Sequence, residues 1–173
     1  MRVQPFDGRR CEISDNDSFV PADGRRRLSS NLCDTGRRVM DLLVNIDVDD
    51  LEKAARFYSS AFGLEVGRRF GAYGVEMLGS STPIYLLVKS PGTPASDTTS
   101  QRRSYERHWT PVHLDFLVDE IEPAVQRAVL AGARLEQPVS TYKWGKLALM
   151  ADPFGHGFCF VQFLGRGYDE IAE

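Results

Sequence analysis

The chain has 173 residues, of which 42% are hydrophobic and 26% charged, and this suits one globular domain or two small packed modules. A formal net charge of −3 provides no basic field, so a nucleic-acid partner is not expected. No apolar run approaches the roughly 18 residues of a membrane span, and no apolar signal segment follows the N-terminal arginines. We therefore expect a cytoplasmic protein without a membrane partner.

Residues 1–39 differ in composition from the rest of the chain. Arginine runs at 8–10, 24–27 and 36–38 occur there without apolar periodicity. This composition is typical of a solvated, poorly ordered N-terminal extension, which we predict, although arginine runs also suit phosphate or an acidic partner. Because Met40 stands directly before the first strand-like run, it is left open whether the extension is part of the functional protein.

The three cysteines, Cys11, Cys33 and Cys159, lie far apart in the sequence and form no CxxC motif. Neither a zinc knuckle nor a disulfide framework is therefore predicted. We expect reduced thiols, with Cys159 as a small core residue.

Residues 40–90 show a first pattern of one strand, one helix and three strands. Residues 42–48 alternate apolar and polar side chains, as a strand with one polar face does. A helix is predicted over 50–62, with one of two aspartates as its N-cap and Gly63 as its end. Its apolar stripe consists of Leu51, Ala54, Ala55, Tyr58 and Phe62. The three strands are predicted at 64–70, 73–78 and 83–89.

Residues 91–110 are polar, contain two prolines and a glycine near their start, and show no period, so they are predicted to be a linker loop. A second module follows at 111–165, and residues 166–173 are predicted to be a C-terminal tail. The second module begins with a strand at 112–118, a helix at 120–131 and a strand at 133–139. The predicted apolar stripe of its helix consists of Ala124, Val125, Ala128, Val129 and Leu130.

The second module ends in a predicted hairpin. Residues 147–150 and 158–163 are apolar runs too short for helices, and the second is rich in aromatic residues. Between them, Asp152-Pro153-Phe154-Gly155 carries the residue types of a tight turn.

The two halves align as a repeat, with 42–48 on 112–118, 50–62 on 120–131 and 83–89 on 158–164. With LLVNIDVDDLEKAARFYSSAFGLEV in the first half and DPFGHGFCFVQF closing the second, the chain resembles the vicinal oxygen chelate superfamily. That superfamily includes glyoxalase I, bleomycin-resistance proteins, extradiol dioxygenases and fosfomycin-resistance enzymes. The resemblance implies an α+β fold of two tandem βαβββ modules that form a curled mixed sheet around a cleft, and it implies a homodimer.

Catalytic members of this superfamily hold a divalent metal through a histidine or similar residue on the first strand of each module and a glutamate on the last. By resemblance, these positions fall here on Leu43, His113, Tyr85 and Cys159. Only His113 is a ligand usual for this superfamily, because leucine cannot bind a metal and tyrosine is a poor ligand. Cys159 and His113 could form a two-residue soft site, but zinc normally has three or four protein ligands. The resemblance therefore implies no standard metal site and no cofactor, although Glu76 and Asp115 are further oxygen donors.

Aromatic side chains supply the other candidate ligand contacts. Tyr142 and Trp144 stand in a predicted loop at 140–145, and such residues suit an apolar or planar ligand. His156 is interpreted as a turn residue, and His108 as an exposed linker residue or part of a lid.

By resemblance, we predict a glyoxalase/bleomycin-resistance-like protein that binds a small aromatic or apolar ligand in its cleft without the usual metal site. The predicted ligand contacts are Tyr85, His113, Tyr142, Trp144 and Cys159. The alternative left open is a glyoxalase-like lyase or isomerase in which His113 is catalytic, either within a non-standard metal site or as a general base.

Overall fold

The computed structural model of the protein describes residues 42–173, and the prediction for residues 1–39 lies outside this range. The described residues form two mixed sheets and two α-helices, followed by a short 3-10 helix at Gly167–Glu170. Neither of the two α-helices has the length and apolar character that crossing a membrane would require.

The first sheet has the strand order β1-β4-β3-β2. Strand β1 is parallel to β4, and the other pairs are antiparallel. A parallel pair needs a long crossover, and α1 (Leu51–Phe62) provides it. Each strand lies within two residues of its predicted bounds: β1 is Val44–Val48, β2 is Glu65–Arg69, β3 is Gly74–Leu78 and β4 is Ile84–Val88.

Helix α1 has a satisfied cap at each end. The side chain of Asp50 accepts a hydrogen bond of 2.9 Å from the backbone N–H of Lys53, which selects Asp50 as the N-cap. Gly63 ends the helix with a φ of 69°, and its N–H donates to the carbonyl oxygen of Ser59. The buried face contains Ala54, Ala55, Phe57, Tyr58 and Ala61. Its three alanines let the helix backbone lie close to the sheet.

The second sheet has the order β5-β9-β8-β6, and β7 also pairs with β8. The prediction of one strand over 133–139 was wrong, because two short strands flank a gap that contains Pro138, which has no N–H for the ladder. The predicted hairpin is confirmed as β8 and β9. The strands are β5 (Leu114–Leu117), β6 (Arg134–Leu135), β7 (Ser140–Tyr142), β8 (Gly145–Ala151) and β9 (Gly157–Phe163).

Helix α2 (Ile121–Leu130) buries a shorter stripe than the sequence predicts. Its buried residues are Ile121, Ala124, Val125 and Ala128. Val129 and Leu130 are 46% and 89% exposed, so their assignment to the stripe was wrong. They fall on the solvent side of the last turn, and the chain leaves the helix immediately afterwards.

The two modules have the same topology, because β5 is parallel to β9 as β1 is to β4. The predicted α+β fold of two βαβββ modules is therefore confirmed, with two sheets and one additional short strand. The modules share one hydrophobic core, in which α1 packs against α2. Phe62, at the end of α1, contacts the second module, with its ring centroid 4.2 Å from that of Phe116 and 5.2 Å from that of Phe158.

Candidate functional site

A cleft of about 550 Å³ lies where the two modules meet. Its walls come from β1, the last two turns of α1, the linker (residues 91–110) and the segments after it, and the starts of β5 and β9. The volume falls within the range of about 300–1,000 Å³ that is usual for small-ligand sites. Eight apolar side chains line the cleft: Leu42, Val44, Ile46, Phe62, Val112, Leu114, Phe116 and Phe158.

Polar groups also line this cleft. Asn45 and Asp47 come from β1, and the linker and the turn between β8 and β9 contribute His108 and His156. The hydroxyl of Tyr58 donates a hydrogen bond of 2.8 Å to buried Asp152. Burial, together with the charge and hydrogen bond of Asp152, raises the pKa of Tyr58 well above its usual value, so this hydroxyl stays protonated. A mostly apolar wall with a few polar groups is the usual composition of a ligand site.

His113, which also lines the cleft, belongs to a group of three possible metal ligands. The ligand atoms of His113, Asp115 and Cys159 all lie within 4.8 Å of one another. Asp115 and Cys159 are register partners in the parallel β5–β9 pair, and His113 Nε2 is 3.3 Å from Asp115 Oδ1. Burial and the neighbouring carboxylate of Asp115 raise the pKa of the Cys159 thiol to about 12. The free thiol is therefore protonated and inert at neutral pH.

A nitrogen, a carboxylate oxygen and a sulfur are donors that suit zinc, and three protein ligands leave a position open. The residues present therefore fit a small divalent metal. Binding would require the Cys159 thiol to lose its proton.

Tyr85 lies away from this group, on the first sheet. Its hydroxyl donates to Glu76 Oε1 at 3.0 Å, and Arg68 Nη2 lies 2.6 Å from the same oxygen. The hydrogen bonds from Arg68, and to a smaller extent the one from Tyr85, lower the pKa of Glu76 to about 2. This carboxylate is therefore charged, and both of its hydrogen-bond partners, Arg68 and Tyr85, belong to the same sheet.

Tyr142 and Trp144 lie in a third place, at the hairpin between β7 and β8. Their rings stack in parallel with centroids 5.3 Å apart, and Trp144 also packs 5.0 Å from Tyr168 of the 3-10 helix. The five predicted ligand contacts are thus divided among three locations. His113 and Cys159 come together in the group of possible metal ligands, Tyr142 and Trp144 come together at the hairpin, and Tyr85 lies apart from both pairs. The role of all five stays a prediction.

Sequence reasoning missed much of the cleft wall. Val44, Ile46 and Phe62 were assigned to strand or helix core, and nothing in one sequence shows that a core face continues into a cleft. The linker is also more firmly held than a polar loop suggests. Its Arg103 Nε lies 2.7 Å from Asp47 Oδ2, and Tyr105 donates to the carbonyl oxygen of Lys89.

Among protein families, residues 43–161 match the family model of the glyoxalase-like domain. The chain is 31% identical over 136 residues to the anthracycline biosynthesis protein DauV of Streptomyces sp. (strain C5), a match that covers 75% of this chain and 43% of that protein. An uncharacterized protein of Mycobacterium tuberculosis (strain H37Rv) is 29% identical over 119 residues, covering 66% of this chain and 69% of its own length.

Solved structures show the same fold at low identity. The fosfomycin resistance protein FosX of Listeria monocytogenes aligns with a TM-score of 0.57 and 17% identity, over 78% of this chain and 99% of that chain. A glyoxalase-related enzyme of Fulvimarina pelagi aligns with a TM-score of 0.56 and 19% identity, over 73% of this chain and 88% of that chain.

Proposed function

Because the chain belongs to the glyoxalase-like domain family, we propose that it binds a small planar aromatic or apolar molecule in the cleft between its two modules. The observation that carries this proposal is the cleft itself, in which aromatic and aliphatic side chains outnumber polar ones. Three aromatic rings, those of Phe62, Phe116 and Phe158, already pack edge to face or tilted beside it. Such rings also suit a flat ligand.

The similarity to a protein of anthracycline biosynthesis supports the same ligand class, since an anthracycline is a planar aromatic molecule. The chain spans 43% of that relative's length, so this support concerns the ligand class and not the relative's whole activity. We propose binding without a catalysed reaction as the primary function. His113 then contributes a polar contact at the rim of the cleft.

Replacing Val44 with tryptophan is expected to weaken this binding, because Val44 is a half-buried residue of the cleft wall and a larger side chain would occupy part of the cavity. The unsubstituted protein should bind an anthracycline or the dye 1-anilinonaphthalene-8-sulfonate saturably, at one molecule per chain. Fluorescence titration should show a dissociation constant at least about tenfold weaker for Val44→Trp, which corresponds to about 1.4 kcal/mol.

Val66→Trp is the matched control, because Val66 lies on β2, the other edge strand of the same sheet, and does not line the cleft. It should bind the probes as the unsubstituted protein does. Equal affinities of the two tryptophan variants, or no saturable binding of either probe by the unsubstituted protein, would show that the cleft is not a ligand site.

A second function is favoured by the group of His113, Asp115 and Cys159. Here the protein is a glyoxalase-like lyase or isomerase with a non-standard metal site. His113, Asp115 and Cys159 would hold the metal, which supplies Lewis acidity when bound. Asp115 and Cys159 come from the paired strands β5 and β9, and His113 directly precedes β5, so the site needs no movement of the modules.

We expect a metal at this group to bind more tightly as pH rises, because the Cys159 thiol must release a proton. Apparent affinity for zinc or cobalt should rise by up to about tenfold per pH unit below the thiol pKa, and cobalt should give a thiolate charge-transfer band. Asp115→Asn should weaken both the band and the affinity. The matched control is Asp119→Asn, which changes an exposed aspartate just after β5 and should alter neither. Absence of both the band and thermal stabilisation by zinc would eliminate the lyase hypothesis in its metal form.

Assembly into a homodimer stays a prediction. Several large apolar side chains are exposed in a single chain and would suit a second copy: Leu43, Tyr73, Trp109 and Leu117.

A further inference from the structure

Two histidines form a row of contacts that ties three segments of the chain together. His156, in the corner between β8 and β9 (residues 152–156), places its Nδ1 3.1 Å from Nε2 of His108 in the linker. The outer nitrogen of His156, Nε2, lies 2.8 Å from the carbonyl oxygen of Asp47 on β1. The outer nitrogen of His108, Nδ1, lies 2.9 Å from the carbonyl oxygen of Glu106. Both rings line the cleft.

The number of protons in this row follows from the chemistry of its ends. A carbonyl oxygen can only accept, so each outer nitrogen must carry a hydrogen. In two neutral imidazoles, this leaves the inner nitrogens of His108 and His156 as bare acceptors that face each other. A contact of 3.1 Å between two acceptors is repulsive, whereas one further proton converts it into a charge-assisted hydrogen bond. The row is therefore complete with three protons on four nitrogens.

A buried carboxylate beside the pair favours that additional proton, and the two nearby arginines are each paired with another carboxylate. Arg103 pairs with Asp47 at 2.7 Å, and Arg107 shares Glu136 with Arg134, each at 2.8 Å. Buried Asp152 has no cationic partner within ion-pair distance among the described residues, and it accepts a hydrogen bond from the backbone N–H of His156 at 2.9 Å. A nearby carboxylate stabilises an imidazolium. The remaining titratable groups of these segments and of the cleft are Asp49, Tyr58, Asp97, Arg102, Tyr105, Glu106 and His113.

We propose that His108 and His156 share one additional proton and that this proton fastens the linker to β1 and to the corner, along one side of the cleft. When the proton leaves, the two inner lone pairs repel each other, one ring turns away, and the linker loses this attachment. Two unlinked histidines hold about one proton between them near pH 6.5, so the folded protein with its shared proton holds more protons than the unfolded chain only above about this pH. Its stability therefore falls as pH rises from about 6.5 until the pair has lost its proton. This inference concerns the protein without any ligand, so it does not depend on the proposed function.

The first test needs no substitution. The chain has only three histidines, so their ring signals can be resolved by long-range ¹H–¹⁵N NMR and assigned through ring-to-backbone correlations in the unsubstituted protein. We expect His108 and His156 to release one proton as a coupled pair. After release, His108 should be the Nδ1–H tautomer and His156 the Nε2–H tautomer. Independent titration of the two rings, or the opposite tautomers, would overturn the proposal even if a variant failed to fold.

A double-mutant cycle with His108→Gln and His156→Gln tests the coupling. The coupling between the two positions should be present at pH 6 and absent at pH 8.5. The unsubstituted protein should lose about 4 °C or more in melting temperature between these pH values, and the double variant should lose less. In a His113→Gln background, which removes a histidine outside the pair, the coupling between positions 108 and 156 should be unchanged at both pH values. A coupling that is equal at both pH values would contradict the shared proton.

Discussion

Asp152→Ala is expected to lower the free energy of unfolding by about 3–5 kcal/mol, because it removes a buried charged acceptor that serves three donors. Asp152 Oδ1 accepts from the backbone N–H groups of Phe154 and His156, both at 2.9 Å, and Oδ2 accepts from the Tyr58 hydroxyl at 2.8 Å. Alanine would leave these donors without partners in a region where Asp152 is only 7% exposed. Chemical denaturation at neutral pH measures the loss.

Asp152→Asn is the matched control, since asparagine has the same shape and keeps an acceptor for the two backbone N–H groups. Its amide can donate to the Tyr58 oxygen, so we expect a loss of about 1 kcal/mol. Tyr58→Phe removes only the hydrogen bond that joins α1 of the first module to the corner of the second, across 94 residues of sequence. The resulting decrease in the free energy of unfolding measures how much this bond between the modules contributes. If Asp152→Ala and Asp152→Asn were equally stable, the hydrogen bonds of Asp152 would not be what stabilises the corner between β8 and β9.

Local chemistry explains why most of the fold could be predicted from the sequence. Helix α1 is defined by residues within one turn of its ends, Asp50 and Gly63, and strand β1 by strict alternation. The repeat then predicts the second sheet from the first. The prediction failed where a local signal competes with another: Pro138 interrupts a run that is apolar enough for one strand, and Val129 and Leu130 are apolar but lie on the exposed side of α2.

The candidate site could be predicted only in part, because its members belong to different sheets. His113 and Cys159 come together because β5 and β9 pair in parallel, and the resemblance had already assigned both residues to one ligand set. Tyr85 and Trp144 resemble ligand contacts as residue types, but their neighbours are set by pairings that one sequence does not show: Tyr85 meets Glu76 across β3 and β4, and Trp144 meets Tyr168. The histidine pair joins residues 48 positions apart through a linker without periodicity.

Gly155→Ala is expected to detach the linker from the corner. Gly155 has a φ of 83°, and a Cβ atom there would overlap the carbonyl oxygen of Glu106. If the linker backbone at Glu106 or the corner backbone at Gly155 moves to relieve this overlap, the hydrogen bond from the His108 N–H to the Gly155 carbonyl oxygen is lost. We expect a loss of about 3 kcal/mol or more, because strain of a left-handed residue adds to the displacement of the linker.

Gly63→Ala separates these two causes. Its φ of 69° is also left-handed, but no atom lies within 4 Å of a Cβ placed there, so only the conformational cost of about 1–2 kcal/mol applies. Trypsin gives the second readout, since the linker carries arginines at 102, 103 and 107. Cleavage follows the population of the open form, so Gly155→Ala should be cut in the linker at least about tenfold faster than Gly63→Ala at matched global stability. Equal cleavage would mean that the linker is held by Arg103 and Tyr105 alone, and that the corner supports the cleft without fastening the linker.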